Sequence, residues 1–166
     1  MALNRAKSRA AITLVEVMVT VVIVALAVLG ASGYRYYLAL DARKAALERT
    51  GVRVALLLSE SWRGQGFDLI PTYDPTVCSA SDVKIAASVT GPDYPPGFTP
   101  LGRYEVVVNG DYRYWASLSW KDYEGGTGLR VLNTVVAWFP RSVGAEVRGV
   151  GLDGAKSFKL TTYVSE

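Results

Sequence analysis

Residues 12–31 read ITLVEVMVTVVIVALAVLGA, and they follow a leader, MALNRAKSRAA, that carries Arg5, Lys7 and Arg9 and no acid. The apolar run from Ile12 to Ala31 is 20 residues long. As a helix rising ~1.5 Å per residue it spans ~30 Å, the thickness of the hydrocarbon core of a bilayer. Thr13 and Thr20 are tolerated inside it because a helical hydroxyl bonds a carbonyl one turn back. Basic residues before an apolar span stay on the cytoplasmic side, so the chain beyond it is expected to face outward. Tyr34, Arg35, Tyr36 and Tyr37 follow where an interfacial aromatic belt would lie. The reading is a single membrane-spanning helix. A secretory signal peptide is its rival, with an apolar core of about 7 to 15 residues before a small-residue cleavage site. Ala25, Ala27, Gly30 and Ala31 offer small residues, but the run is longer and the helical pattern continues past it.

Glu16 is the charged residue inside this run. A carboxylate at the centre of a membrane helix costs about 2.5–3.5 kcal/mol on insertion scales, less toward an end. Two readings follow. Four residues into the run, its carboxylate can reach the headgroups; or a positive group pairs with it. A free α-amino group supplies such a partner if the leader is cut off just before Ile12.

The segment Ala11-Ile12-Thr13-Leu14-Val15-Glu16-Val17-Met18-Val19 resembles the prepilin N-terminal motif of type IV pilins and type II secretion pseudopilins. Its usual form is Gly-Phe-Thr-Leu-Ile-Glu-Val-(Met/Leu)-(Val/Ile). Ala11 stands in place of the glycine before the cut and Ile12 in place of the phenylalanine after it. The resemblance implies cleavage between Ala11 and Ile12 by a membrane prepilin peptidase, N-methylation of Ile12, and assembly with other pilin or pseudopilin subunits. It also implies that Glu16 pairs with the amine of a neighbouring subunit. Leu14, Val15, Val17, Met18, Val21, Val22 and Ile23 would face inner-membrane lipid before assembly and the filament core after it. Gly30 and Gly33 fall where the family often has a helix-breaking proline, and read either as a place where the helix melts or as close helix packing. No cofactor is implied. The location is the bacterial inner membrane, single-pass with the C-terminal domain outside the cytoplasm, and then a pilus or pseudopilus.

Composition bounds what else the chain does. Its 166 residues suit one domain beside the apolar run, half are hydrophobic, and mean hydropathy is +0.19. There is no histidine and only one cysteine, Cys78. Ser-His-Asp and Cys-His nucleophiles, a Cys/His zinc site and an intrachain disulfide are therefore excluded. The net charge of +3 comes from the leader: without Arg5, Lys7 and Arg9 the remaining basic residues balance the 15 acids. A pI of 9.0 thus marks no nucleic-acid-binding face, and no nucleic-acid partner is expected.

Beyond the apolar run the helical pattern continues. Leu40, Leu47, Val54, Leu58 and Trp62 form one apolar face, and Asp41, Arg43, Lys44, Glu48, Arg49, Arg53 and Glu60 the opposite one. Gly64 and Gly66 end it, which predicts a helix over 12–63, roughly 78 Å if continuous. Six of the seven prolines lie between Pro71 and Pro100, so 64–102 reads as connecting loops with one strand at 83–88. Strands at 103–108 and 111–120 flank Asn109-Gly110, a type I′ hairpin signal that sets Val107 opposite Tyr112 and Tyr104 opposite Trp115. Tyr112, Tyr114, Ala116, Leu118 and Trp120 share a face suited to cover the helix. Residues 129–139 and 158–164 are further strands. The expected fold is α+β: a leader 1–11, a membrane or filament helix 12–37, and a globular domain 38–166. That domain comprises an amphipathic helix 38–63, loops 64–102 and a meander of about four antiparallel strands over 103–166.

Sheet and helix in this order also resemble minor pilins, and FKLTTYVS at 158–165 resembles the C-terminal strand of some of them. The disulfide-closed loop of many major pilins cannot form, since Cys78 has no partner in the chain; the thiol is free or bridges two molecules. Asp122 with Glu124, or Asp153, could join a calcium loop, though neither group has the ligand density of a dedicated site. Gly149-Val150-Gly151 lacks the strand and helix context of a phosphate loop. Tyr73, Tyr94 and Trp115 read as exposed aromatics, serving a partner or local packing. Two classes of function result: a structural minor pilin or pseudopilin without enzymatic activity, or a single-pass anchored extracytoplasmic binding domain that does not polymerise. Within the first, type IV pilus, type II secretion and DNA uptake remain open.

Overall fold

The computed structural model describes residues 14–123, 128–140, 152 and 154–166. Helix α1 spans Leu14–Arg63 and is followed by two short 3₁₀ segments, Phe67–Thr72 and Pro75–Cys78. Five strands follow: β1 (Val83–Ala87), β2 (Thr99–Val108), β3 (Tyr112–Asp122), β4 (Leu129–Trp138) and β5 (Lys156–Ser165). They form one antiparallel sheet in sequence order. The fold is α+β as expected, with one strand more than the expected meander. The segment assigned to a lone strand among the loops pairs along Tyr104–Val108 and becomes the first strand of the sheet. The chain divides into two compact units, Met1–Arg43 and Lys44–Glu166.

In the second unit, α1 buries Leu47, Gly51, Val54, Ala55, Leu58, Ser59 and Trp62, a stripe at helical spacing. The stripe packs on Tyr104, Val106, Tyr114, Ala116, Leu118, Leu132 and Val136, all in one core. Leu40, expected at the start of this face, is exposed; the buried stripe begins one heptad later, at Leu47. Gly51 brings the helix close to the sheet: a Cβ there would lie 2.9 Å from the Trp138 ring. The Tyr114 hydroxyl donates to the Leu47 carbonyl at 3.2 Å, and the Trp62 indole N–H to the Ile70 carbonyl at 3.0 Å. Both large rings thus keep a partner for their polar atom while burying their carbon. The helix ends where the glycines predict, with Gly64 N–H bonded to Glu60 O at 2.9 Å and Gly66 at φ 88°.

The hairpin corrects the expected register. Val108 lies opposite Tyr112 and Tyr104 opposite Ala116, one residue away from the two-residue-turn prediction. Asn109 and Gly110 do adopt the left-handed backbone, at φ 52° and 75°. Asp111 adds a third loop residue, however, and the Asn109 N–H is drawn to the Asp82 carbonyl at 2.7 Å. A one-residue shift exchanges faces, so Tyr104 joins the helix side and not the side of Trp115. Strand β2 also starts earlier than expected, at Thr99. Pro100 is accommodated because β1 reaches only as far as Tyr104, leaving its missing N–H without a ladder to break.

Arg130 closes one end of the sheet. Its guanidinium lies 4.1 Å from the Phe67 ring centroid and 5.0 Å from that of Trp120, donates to Phe67 O at 2.6 Å and pairs with Asp122 at 3.0 Å. A planar, delocalised cation meets all four demands together, which an ammonium cannot.

The close approach at Gly51 gives a testable consequence. Gly51→Ala should push the added methyl into Trp138 and lower the stability of the globular unit by about 1–3 kcal/mol, the usual cost of overpacking. Gly33→Ala, with nothing within 4 Å of the added methyl, should leave the same transition unmoved in urea titrations followed by tryptophan fluorescence.

Candidate functional site

The first unit carries the residues singled out from the sequence. Leu14, Val15, Val17, Met18, Val21, Val22 and Ile23 lie in the first turns of α1, all exposed, Leu14 at 78% and Ile23 at 59%. The apolar surface continues through Val24, Leu26, Val28 and Leu29. Apolar cover of this extent, on every side of a helix, is not stable against water and calls for lipid or protein around it. Among the described residues this is the one helix long and apolar enough to cross a membrane.

The polar side chains within it are handled locally. Thr20 Oγ1 donates to Glu16 O at 2.9 Å and Val17 O at 2.8 Å, and Ser32 Oγ to Val28 O at 2.8 Å. Glu16 lies in the first turn of the helix, where the macrodipole favours a carboxylate. It is the charged residue of the stretch from Leu14 to Tyr34. Gly30 and Gly33 both sit inside continuous helix, and neither touches a neighbour that an added methyl would meet. Ala11 and Ile12, the expected cleavage pair, lie outside the described residues.

In the second unit no catalytic constellation is assembled among the described residues. A groove of about 280 Å³ between α1 and the β1–β2 edge is lined by Arg53, Asp82 and Asn109 among others. The Thr50 hydroxyl on its wall donates to Ala46 O at 3.0 Å. Asp122, considered for a calcium loop, is paired with Arg130; Glu124, Asp153 and Gly149-Val150-Gly151 lie outside the described residues. Among the described residues no three His, Cys, Asp or Glu side chains are placed to share a metal ion.

Two of the three aromatics expected at the surface are buried. Tyr73 is stacked on Trp62 with centroids 5.9 Å apart, and Trp115 is buried edge-on to Phe139 at 5.6 Å. Tyr94 is half-buried under Arg103, 5.1 Å from its centroid. The Tyr73 hydroxyl shares hydrogen bonds with Ser61 Oγ and, at 3.4 Å, with Cys78 Sγ. Tyr73 lies 12 residues from Ser61 and 5 from Cys78, across the helix end and two 3₁₀ segments, and no periodic signal links the three. Cys78 is a half-buried thiol in this cluster.

A family model described as the prokaryotic N-terminal methylation motif matches residues 6–32. The match covers the second half of the basic leader, Glu16 and the apolar turns through Ser32. The chain therefore carries the type IV pilin/pseudopilin signature, on an α+β fold whose N-terminal helix is apolar over the same residues. No curated protein and no solved structure matches the chain.

Burial pushes the phenols of Tyr73, Tyr104 and Tyr114 above their ordinary value, and at Tyr73 the hydrogen bond to Cys78 adds to the effect. In the unfolded chain these phenols ionise near pH 10, so the stability they contribute is complete below that pH and is lost as pH rises above it. Absorbance at 295 nm should show these tyrosines ionising late, together with the loss of near-ultraviolet circular dichroism. Their full titration while the fold persists would contradict the assigned burial.

Proposed function

We propose that the chain is a structural minor pilin or pseudopilin subunit, cleaved by a prepilin peptidase and assembled into a type IV pilus or type II secretion pseudopilus. The observation that supports it is the methylation motif at 6–32 running directly into a helix apolar on every side. In this reading residues 1–11 are a leader removed at Ala11–Ile12, Ile12 is N-methylated, 12–37 anchor the chain in the inner membrane, and 38–166 fold outside the cytoplasm. On assembly the apolar helix exchanges lipid for the helices of other subunits. The burial that lipid supplies before assembly is then supplied by protein, so the exchange needs no exposure to water.

Glu16 sets the register. In a low-dielectric bundle an unpaired carboxylate is costly, and the methylated amine of Ile12 in a neighbouring subunit satisfies it at one stagger only. Gly30 and Gly33 lower helix propensity by about 1 kcal/mol each relative to alanine, so the helix is weakest there when assembly bends it. The protein in this reading is structural and has no catalytic role. A monomeric, membrane-anchored binding domain would share the anchor but would have no use for Glu16.

Processing is checked first. Intact-mass measurement of the membrane-fraction protein should show loss of residues 1–11 and one added methyl group. Retention of Met1 to Ala11 in cells that process their other prepilins would remove the proposal. Glu16 separates assembly from anchoring. Glu16→Ala should leave membrane level and cleavage near normal but lower the sheared-filament to membrane-bound ratio by a hundredfold or more. Breaking a buried pair costs about 3–5 kcal/mol, and roughly 1.4 kcal/mol is a factor of ten. An unchanged ratio, with wild-type protein present in the filaments, would leave the anchored binding domain as the better account.

A further inference from the structure

The core accounts for one face of the sheet only. On β3 the side chains of Tyr114, Ala116 and Leu118 belong to the core with α1, so strand alternation turns Trp115, Ser117 and Ser119 to the opposite face. That face is equally buried at its centre: Ser117 and Ser119 are each 1% exposed and Asn133 is 0%. Register places them together. Ser119 is the cross-strand partner of Asn133, and Ser117 is the partner of Arg103 on β2.

Four polar atoms in these two adjacent rows are buried without a hydrogen-bond partner among the described residues: Ser117 Oγ, Ser119 Oγ, Asn133 Oδ1 and Arg103 Nε. Buried polar groups in native folds almost always have a partner, in the protein, an ordered water or a ligand. The fold does not demand polar residues here, since Val135 and Ala137 fill the neighbouring positions of the same face on β4. The charge around them is one-sided. Arg103, Lys121 and Lys159 share the face by register and alternation, the last opposite Val135. Glu105 on the same face is held by Arg113 at 2.8 Å, and Asp93, which meets Arg103 at 3.4 Å, is fully exposed.

The segment Gly91–Phe98 is fastened over this floor at two points. Gly91 lies against the Arg103 side chain and Tyr94 stacks on its guanidinium, while the Phe98 ring lies 5.2 Å from Lys121 Nζ. Arg103 is opposite Ser117, and Lys121 is two residues past Ser119, so the fastenings bracket the two serines. Cation–π contacts and an exposed ion pair are weak, which leaves the segment cheap to lift.

We propose that this face holds a binding site for a small oxyanion, a phosphate or a carboxylate. Two hydroxyls and a guanidinium N–H offer donors, and the cationic surround supplies the charge complement. Asn133 can add another donor. Its Nδ2 donates to Thr161 Oγ1 at 2.9 Å, and if the Thr161 hydroxyl donates instead, the amide turns over and directs Nδ2 at the site.

The test uses the full-length protein in detergent micelles, ¹⁵N-labelled, titrated separately with inorganic phosphate and with acetate at constant ionic strength. One anion should give saturable shifts of the Ser117, Ser119 and Asn133 amides and the Trp115 indole, which names the anion as phosphate or carboxylate. The double variant Ser117→Ala, Ser119→Ala should weaken that binding at least tenfold. Its thermal midpoint without added anion should stay level or rise, because hydroxyls lacking a partner add nothing to the free fold. Arg103→Gln, which leaves the α1 face of the sheet untouched, should weaken binding similarly. The proposal is overturned if neither anion gives saturable shifts or if the double variant binds as well as wild type. A lower midpoint of the double variant in the absence of anion also overturns it, since the hydroxyls would then be structural.

Discussion

Helix α1 must satisfy two kinds of surroundings along one continuous backbone, and the rest of the structure is arranged around that constraint. From Leu14 to Leu38 its large apolar side chains are exposed around the helix, a surface compatible with lipid or with other helices. From Leu47 to Trp62 the buried residues narrow to a single stripe, and the remaining faces carry charge beside the exposed Leu56 and Leu57. The change from one pattern to the other is where the chain divides into its two compact units. A sheet is needed only for the second pattern, because a single stripe can be buried by one flat layer.

The sheet meets that stripe through size matching. Gly51 lets the helix approach, and the Trp138 ring occupies the space its missing side chain leaves, in a core that also holds Ala55, Tyr114 and Leu118. Trp62 and Tyr73 then extend the core past the helix end, while Arg130 binds the first 3₁₀ segment to the sheet through Phe67. Lys156 adds an ion pair to Glu48 that ties the start of β5 to α1, but both side chains are about half exposed, which limits its contribution. Stability therefore resides in buried carbon and in a few polar atoms that each find one partner.

The methylation motif and the globular fold belong to different links of the argument. The motif is local, confined to residues 6–32 and to the apolar helix that runs through them. The sheet gives the molecule a surface, and its two faces differ in kind. One is a hydrocarbon core against α1; the other places two serines and an asparagine at buried positions where aliphatic residues would have sufficed, with the half-buried Arg103 beside them.

Much was legible from the chain alone because the deciding signals were periodic or local. The helix and its end glycines, the strand pattern of β3 to β5, the Asn109-Gly110 turn and the Thr-Leu-Val-Glu motif all depend on neighbours within a few residues. What only the tertiary structure decided involved pairs distant in sequence. Register slipped by one at the hairpin because Asp82, the residue just before β1, captures the Asn109 N–H with its carbonyl. Leu40 lies outside the buried stripe, since its helical phase is right but it belongs to the other compact unit. Tyr73 and Trp115 are buried, and Ser61, Tyr73 and Cys78 come together, only because the chain returns to the same place. Periodicity states which side a residue faces; what waits on that side is settled by the strands and loops that fold over it.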